Sequence, residues 1–197
     1  MKIKKITKIK NNSKKYDIQV SENHNFFAND ILVHNCTMMS DYCYARSLDS
    51  NNHPSRNWVK GLWGSIRYEI PENWRICGEN VYAKHSVGYD DLDTYFYVFS
   101  IWNENNVCLS WDETVEWCNL LGLKHVKVLY RGVFDVEVFK NMNINVEKQE
   151  GFVVRLASSY KYSDFKKSVI KWVRKGHIQT DQHWSTQKIV PNKLKQK

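Results

Sequence analysis

Five cysteines are present, yet no two stand in a Cys-x-x-Cys spacing and the count is odd. That pattern argues against both a disulfide framework and a structural zinc site. The chain also lacks an apolar run long enough to span a bilayer, and it has no secretory h-region. It is therefore read as cytosolic, with no membrane partner. Its 197 residues suffice to bury a core, either as one large domain or as one domain with a small appended piece.

An excess of basic charge is missing from the middle of the chain. The formal net charge is +8, but seven lysines (2, 4, 5, 8, 10, 14 and 15) crowd the first fifteen residues and four more (188, 193, 195 and 197) lie in the last ten. Between residues 36 and 187 basic and acidic residues balance. A nucleic-acid reading based on net charge alone is thereby weakened. At the N-terminus the lysines interleave with Ile3, Ile6 and Ile9, a basic strand pattern. Such a strand can steer encounter with an acidic partner.

Chemistry-bearing residues concentrate in Tyr16 to Thr37, YDIQVSENHNFFANDILVHNCT. An Asn side-chain amide can attack its own backbone carbonyl, closing a succinimide and cutting the chain behind it. At Asn35 that cut would free the amine of Cys36, whose thiol is a nucleophile. The blocks Tyr-Asp-Ile-Gln-Val, Asn-His-Asn-Phe-Phe-Ala and Ile-Leu-Val-His-Asn followed by Cys resemble the C-terminal end of an intein, in both residues and spacing. The resemblance implies that Asn35 cyclises, His34 polarises its carbonyl, and Cys36 is the first extein residue and accepts the upstream segment. It further implies that His24 assists and that Asp17 manages the Cys36 thiol. An intein also needs an N-terminal half opening on Cys or Ser and carrying a Thr-x-x-His block. That half is expected on a separate polypeptide, with splicing in trans.

After Cys36 the composition shifts to frequent Trp and Tyr, with apolar segments between short polar turns. Strands are predicted at 42–46, 74–83, 95–102, 126–130 and 151–156 from aromatic and β-branched content. Helices are predicted at 55–63, from Ser110 to Gly122, and at 163–174. Ser110 with Glu113 three residues on forms a capping-box signature, with Leu109 ahead as a staple and Gly122 as the stop. The irregular order of strands and helices predicts an α+β fold.

This region resembles the RNA ligases of the covalent nucleotidyltransferase superfamily, especially the small phage and bacterial enzymes. The resemblance rests on Ala-Arg-Ser-Leu-Asp-Ser at 45–50, Arg-Ile-Cys-Gly-Glu-Asn-Val-Tyr-Ala-Lys-His-Ser at 75–86, Phe-Tyr-Val-Phe-Ser-Ile-Trp at 96–102, Glu-Gly-Phe-Val-Val-Arg at 150–155 and Lys-Ser-Val-Ile-Lys-Trp-Val-Arg-Lys-Gly-His at 167–177. Such ligases attach AMP to a Lys, pass it to an RNA 5′-phosphate and let a 3′-OH displace it, with ATP and Mg²⁺ required. The resemblance implies that Arg46 contacts the nucleotide or the RNA 3′ end, Glu79 holds the ribose, and Phe96 or Phe99 stacks on adenine. Glu150 would bind Mg²⁺ directly or through water. Lys171, with Lys167 one turn earlier on the same helix face, would neutralise the α-phosphate.

The family's Lys-x-Asp-Gly nucleophile motif, due shortly before residue 36, is absent. The sequence therefore reads as a split-intein segment at 1–35, a ligase C-extein at 36–187 and a basic tail at 188–197. The expected partners are RNA and an N-terminal intein half whose extein carries Lys-x-Asp-Gly. Trans-splicing would join the two exteins into a ligase. The competing readings are a ligase acting without splicing and a non-enzymatic RNA-binding module derived from a ligase.

Overall fold

The computed structural model describes residues 3–9, 15–20, 27–28, 31–32, 36–44, 54–84, 87–145, 147–149, 151–173 and 190–196, with backbone alone before residue 36 and at Pro54 and Ser55. The basic N-terminal pattern forms β1 (Ile3–Ile9), antiparallel to β2 (Lys15–Val20), with Ile6 opposite Ile18. Next come β3 (Phe27–Ala28) and β4 (Ile31–Leu32), a second antiparallel pair. Among the described residues neither pair shares a ladder with another strand.

Strand pairing changes at Cys36. The next elements are β5 (Cys36–Met38), β6 (Cys43–Tyr44), α1 (Pro54–Ile66), β7 (Arg75–Asn80), β8 (Phe96–Trp102), β9 (Val107–Cys108), α2 (Trp111–Leu120), β10 (Lys124–His125), α3 (Val136–Lys140), β11 (Gly151–Arg155), β12 (Tyr160–Lys161), α4 (Phe165–Ser168) and β13 (Val169–Val173). Six strands run in the order β12-β9-β8-β7-β5-β6, all antiparallel, and β10 joins β8 in parallel. β11 and β13 form a separate antiparallel pair. The expected mixed α and β architecture is present, and no helix among the described residues is long and apolar enough to cross a membrane.

One irregularity decides how this sheet is used. Cys77 pairs with Ser100, but the next residue, Gly78, pairs with Val98, so β8 carries Phe99 as an extra residue. Such a bulge reverses the inward and outward alternation on its strand. Phe96 and Val98 before it, and Ile101 after it, therefore all enter the main core with Ile76, Met38, Cys36 and Cys43. Ser100 and Trp102 fall on the opposite face, where Trp102 joins a second cluster with Cys108 and Tyr160. Gly78 makes the first face possible, because a β-carbon there would lie 2.3 Å from the Phe96 ring.

Two helices cover the main core. α1 turns Trp58, Val59, Leu62, Trp63 and Ile66 inward at helical spacing, and the Trp63 indole N–H donates to the Met39 carbonyl at 2.6 Å. α2 starts as its sequence predicts: the Ser110 side chain accepts from the Glu113 amide and the Glu113 carboxylate accepts from the Ser110 amide. Gly122 ends it at φ +66°, the left-handed conformation that favours glycine.

Two predicted elements are corrected. The strand expected at 126–130 is absent; β10 ends at His125, and after the Val126 amide donates to the Val98 carbonyl the chain runs exposed. The helix expected at 163–174 is only a 3-10 turn (Tyr162–Asp164) followed by α4. From Val169 the chain pairs residue for residue with β11, and the β-branched Val169, Ile170 and Val173 follow the tertiary partner rather than the helical spacing.

The lysine-rich end is tied down rather than trailing. Asn192 is 4% exposed; its side chain accepts from the Tyr89 amide and donates to the Val81 carbonyl, while its own carbonyl accepts from the Tyr95 hydroxyl.

Replacing Ser110 by Ala is expected to cost about 1 kcal/mol through loss of the cap. Gly78→Ala should cost more, roughly 1–3 kcal/mol, by overpacking against Phe96. Urea midpoints compared with the unsubstituted chain check both.

Candidate functional site

The second face of the sheet carries the polar residues. Strand register lines up Tyr44, Thr37, Cys77 and Ser100 across β6, β5, β7 and β8, with Glu79 opposite Tyr97 one step along. The Thr37 hydroxyl lies 3.7 Å from the Cys77 sulfur. One end of this face is closed by aromatic packing: Trp102 meets Tyr160, Tyr162 and Phe165 at centroid distances of 5.7, 5.8 and 6.1 Å. Toward the middle, Glu79, Tyr97 and Phe99 are only half-buried.

The bulge brings a satisfaction problem that Arg155 solves. The Val98 carbonyl accepts from Val126 beside β10, and the Ile101 carbonyl accepts from Leu109 beside β9. Between those two ladders the Phe99 carbonyl has neither strand as partner; instead Arg155 donates Nη1–H to it at 3.1 Å and Nη2–H to the Leu109 carbonyl at 2.8 Å. The guanidinium also lies over the rings of Trp111 and Tyr160 at 5.6 and 5.5 Å. A planar fork of donors suits this double task. Through Arg155 the β11–β13 pair is pinned to the bulge of β8. Glu150 immediately precedes β11 in sequence, and Lys171 lies on β13 opposite Val153.

The residues singled out from sequence divide accordingly. Glu79 and Phe99 belong to the half-buried middle of the sheet. Phe96 does not offer its ring; it is fully buried in the main core over Gly78, which leaves Phe99 as the member of that pair with accessible surface. Lys167 and Lys171 do not share a helix face, since the first is in α4 and the second in β13; both are exposed. Asp17 sits in β2 opposite Thr7. His24, His34, Asn35, Arg46 and Glu150 lie outside the described residues.

Cys36 is 6% exposed and part of the main core. Burial, with a smaller contribution from the neighbouring Cys43, pushes its thiol up to about 12. Burial likewise pushes Cys43 and Cys118 up to about 11 and raises Cys77 and Cys108. Sequence reasoning missed Arg155; its only signal was its place at the end of the Glu-Gly-Phe-Val-Val-Arg stretch, because its partners are carbonyls 46 and 56 residues away.

The RNA ligase family model matches residues 12–173, well over half of the 197-residue chain. The chain belongs to the RNA ligase family. The match includes the central sheet, the β11–β13 pair and β2, where Lys15-Tyr16-Asp17 is followed by Ile18 rather than Gly. Neither a curated protein nor a solved structure matches it.

Arg155→Ala should strand the Phe99 and Leu109 carbonyls and destabilise by roughly 1–3 kcal/mol, and Arg155→Lys, lacking the fork, should rescue less than half of that. Thermal and urea unfolding of the two variants check this. Phe96→Ala should cost about 3–5 kcal/mol, whereas Phe99→Ala should cost clearly less in the same assay.

Proposed function

We propose that this chain is the downstream piece of an ATP-dependent RNA ligase whose N-terminal segment, residues 1–35, is the C-terminal half of a split intein. Trans-splicing would join Cys36 to a separately encoded extein bearing the Lys-x-Asp-Gly nucleophile, giving an enzyme that seals 5′-phosphate to 3′-OH RNA ends. The observation that carries the splicing part is the block Ile31-Leu32-Val33-His34-Asn35-Cys36, with Asn and Cys on either side of one bond. The change of strand partners at Cys36 supports the same boundary: β5 is the first strand in the central sheet, while β1 to β4 pair only among themselves among the described residues.

In this reading the half-exposed Phe99 stacks on adenine, Glu79 receives the ribose hydroxyls, Arg46 contacts the nucleotide or RNA end, and Lys167 and Lys171 offset phosphate charge. Among the described residues no cluster of three or more His, Cys, Asp or Glu is arranged for a metal. A hard cation held by Glu150 would complete its shell with water and phosphate oxygens, as magnesium does. Bound there, the ion supplies neutralisation of charge on the reacting phosphate.

A second reading is favoured by the start of the family match at residue 12. There residues 12–35 are ligase sequence, Lys15 of Lys15-Tyr16-Asp17 is the nucleophile, and no splicing occurs. The two readings part on covalent chemistry. In the first, the purified chain forms no acid-labile AMP adduct with ATP and Mg²⁺; an adduct on Lys15 abolished by Lys15→Ala would establish the second.

With an N-half that splices onto the unsubstituted chain, Asn35→Ala should leave residues 1–35 attached, and mass spectrometry finding a product that begins at Cys36 would sink the assignment. His34→Ala should slow splicing by about 10²–10⁴-fold, the usual worth of a positioned acid or base. In the spliced product Phe99→Ala should weaken ATP binding by roughly 1–3 kcal/mol, and Glu150→Ala should abolish sealing while splicing proceeds.

A further inference from the structure

We infer that splicing at Cys36 and docking of β5 into the ligase sheet exclude one another, so that the junction reacts only while β5 is undocked and is then hidden by docking. The inference rests on the splicing reading and adds a control that the reading does not contain.

The geometry is that of a core strand. β5 is flanked on both edges, with Thr37 paired to Tyr44 on one side and Cys36, Thr37 and Met38 paired to Gly78, Cys77 and Ile76 on the other. Cys36 keeps 6% of its surface, and its core neighbours Met38, Ile76 and Phe96 keep 0, 2 and 0%. In the acyl transfer the Cys36 sulfur must lose its proton and bond to the carbonyl carbon of the upstream extein. The bond from that carbon to the N-half's own nucleophile breaks, and the departing nucleophile takes up a proton. After Asn35 cyclises, the freed Cys36 amine attacks the same carbon and the sulfur leaves as a thiol. Both steps need an acyl group within about 3–3.5 Å of the attacking atom, and a covered sulfur inside the sheet has no room for one. Burial also opposes the thiolate that must attack.

Once the new amide has formed, docking places it at the head of β5 and returns the sulfur to the core. The reverse shift of the acyl group from nitrogen to sulfur is blocked by the same contacts. Ligase folding thus makes splicing one-way, and premature folding stops it.

The experiment uses the full chain with two probes, iodoacetamide and a short synthetic peptide thioester, with modification sites mapped by mass spectrometry at pH 8. In the unsubstituted chain Cys36 should be labelled and acylated as slowly as Cys108 and Cys118. Gly78→Ala, Met38→Ala, or urea below the global transition should raise modification of Cys36 at least ~10-fold more than that of Cys118, by local opening. A Cys36 that reacts like a free thiol in the folded chain overturns the inference. So does an opened Cys36 that leaves the rate unchanged when the same variants are mixed with an N-half that splices onto the unsubstituted chain; in that case the splicing reading survives. If no N-half gives a spliced product with the unsubstituted chain, with either variant or at any urea concentration, the splicing reading fails and takes this inference with it.

Discussion

The contact on which this architecture turns is the guanidinium of Arg155 against the Phe99 and Leu109 carbonyls. A bulge in a central strand leaves a backbone acceptor off its ladder, and a buried acceptor without a donor is costly. β8 tolerates the extra residue because a side chain from another strand pair stands in for the missing amide. The reversal of faces that follows lets one seven-residue strand send Phe96, Val98 and Ile101 into the core under α1 and α2 and Trp102 into an aromatic cluster that includes Phe165 of α4. Between those packed regions Glu79, Tyr97 and Phe99 remain half-buried.

What was legible in the sequence was local. The Ser110 cap, the Gly122 stop and the strands around Ile76 and Val98 need only near neighbours, and they fold as read. The segment from Val169 carries helical spacing and β-branched residues together, and its partner β11 decides in favour of strand. Phe96 and Phe99 could not be told apart because a bulge leaves no mark in the alternation of a fully apolar strand. Arg155 was invisible for a related reason: its role is defined by two carbonyls that any residues could have supplied.

Charge also reads differently in three dimensions. The lysine-rich end places Lys195 within 3.1 Å of Asp93 and Lys193 within 3.8 Å of Asp90, in the otherwise acidic run before β8. Exposed pairs of this kind contribute little to stability, but they leave less of the terminal positive charge for a polyanion. The family relationship, rather than net charge, is therefore the argument for RNA as the partner.

Asn192 carries a consequence for the order in which the molecule assembles. Its hydrogen bonds reach Tyr95, Tyr89 and Val81 across sequence separations of 97, 103 and 111 residues, whereas the ladder between β7 and β8 joins residues only 16 (Asn80 with Phe96) to 27 (Arg75 with Trp102) positions apart. Closing so long a loop carries an entropic cost before the contacts it makes can offset it. The contacts of Asn192 are accordingly expected to close after β7 and β8 have paired, and the Tyr89 and Asn192 amides held by them should be among the first to exchange their hydrogens with solvent.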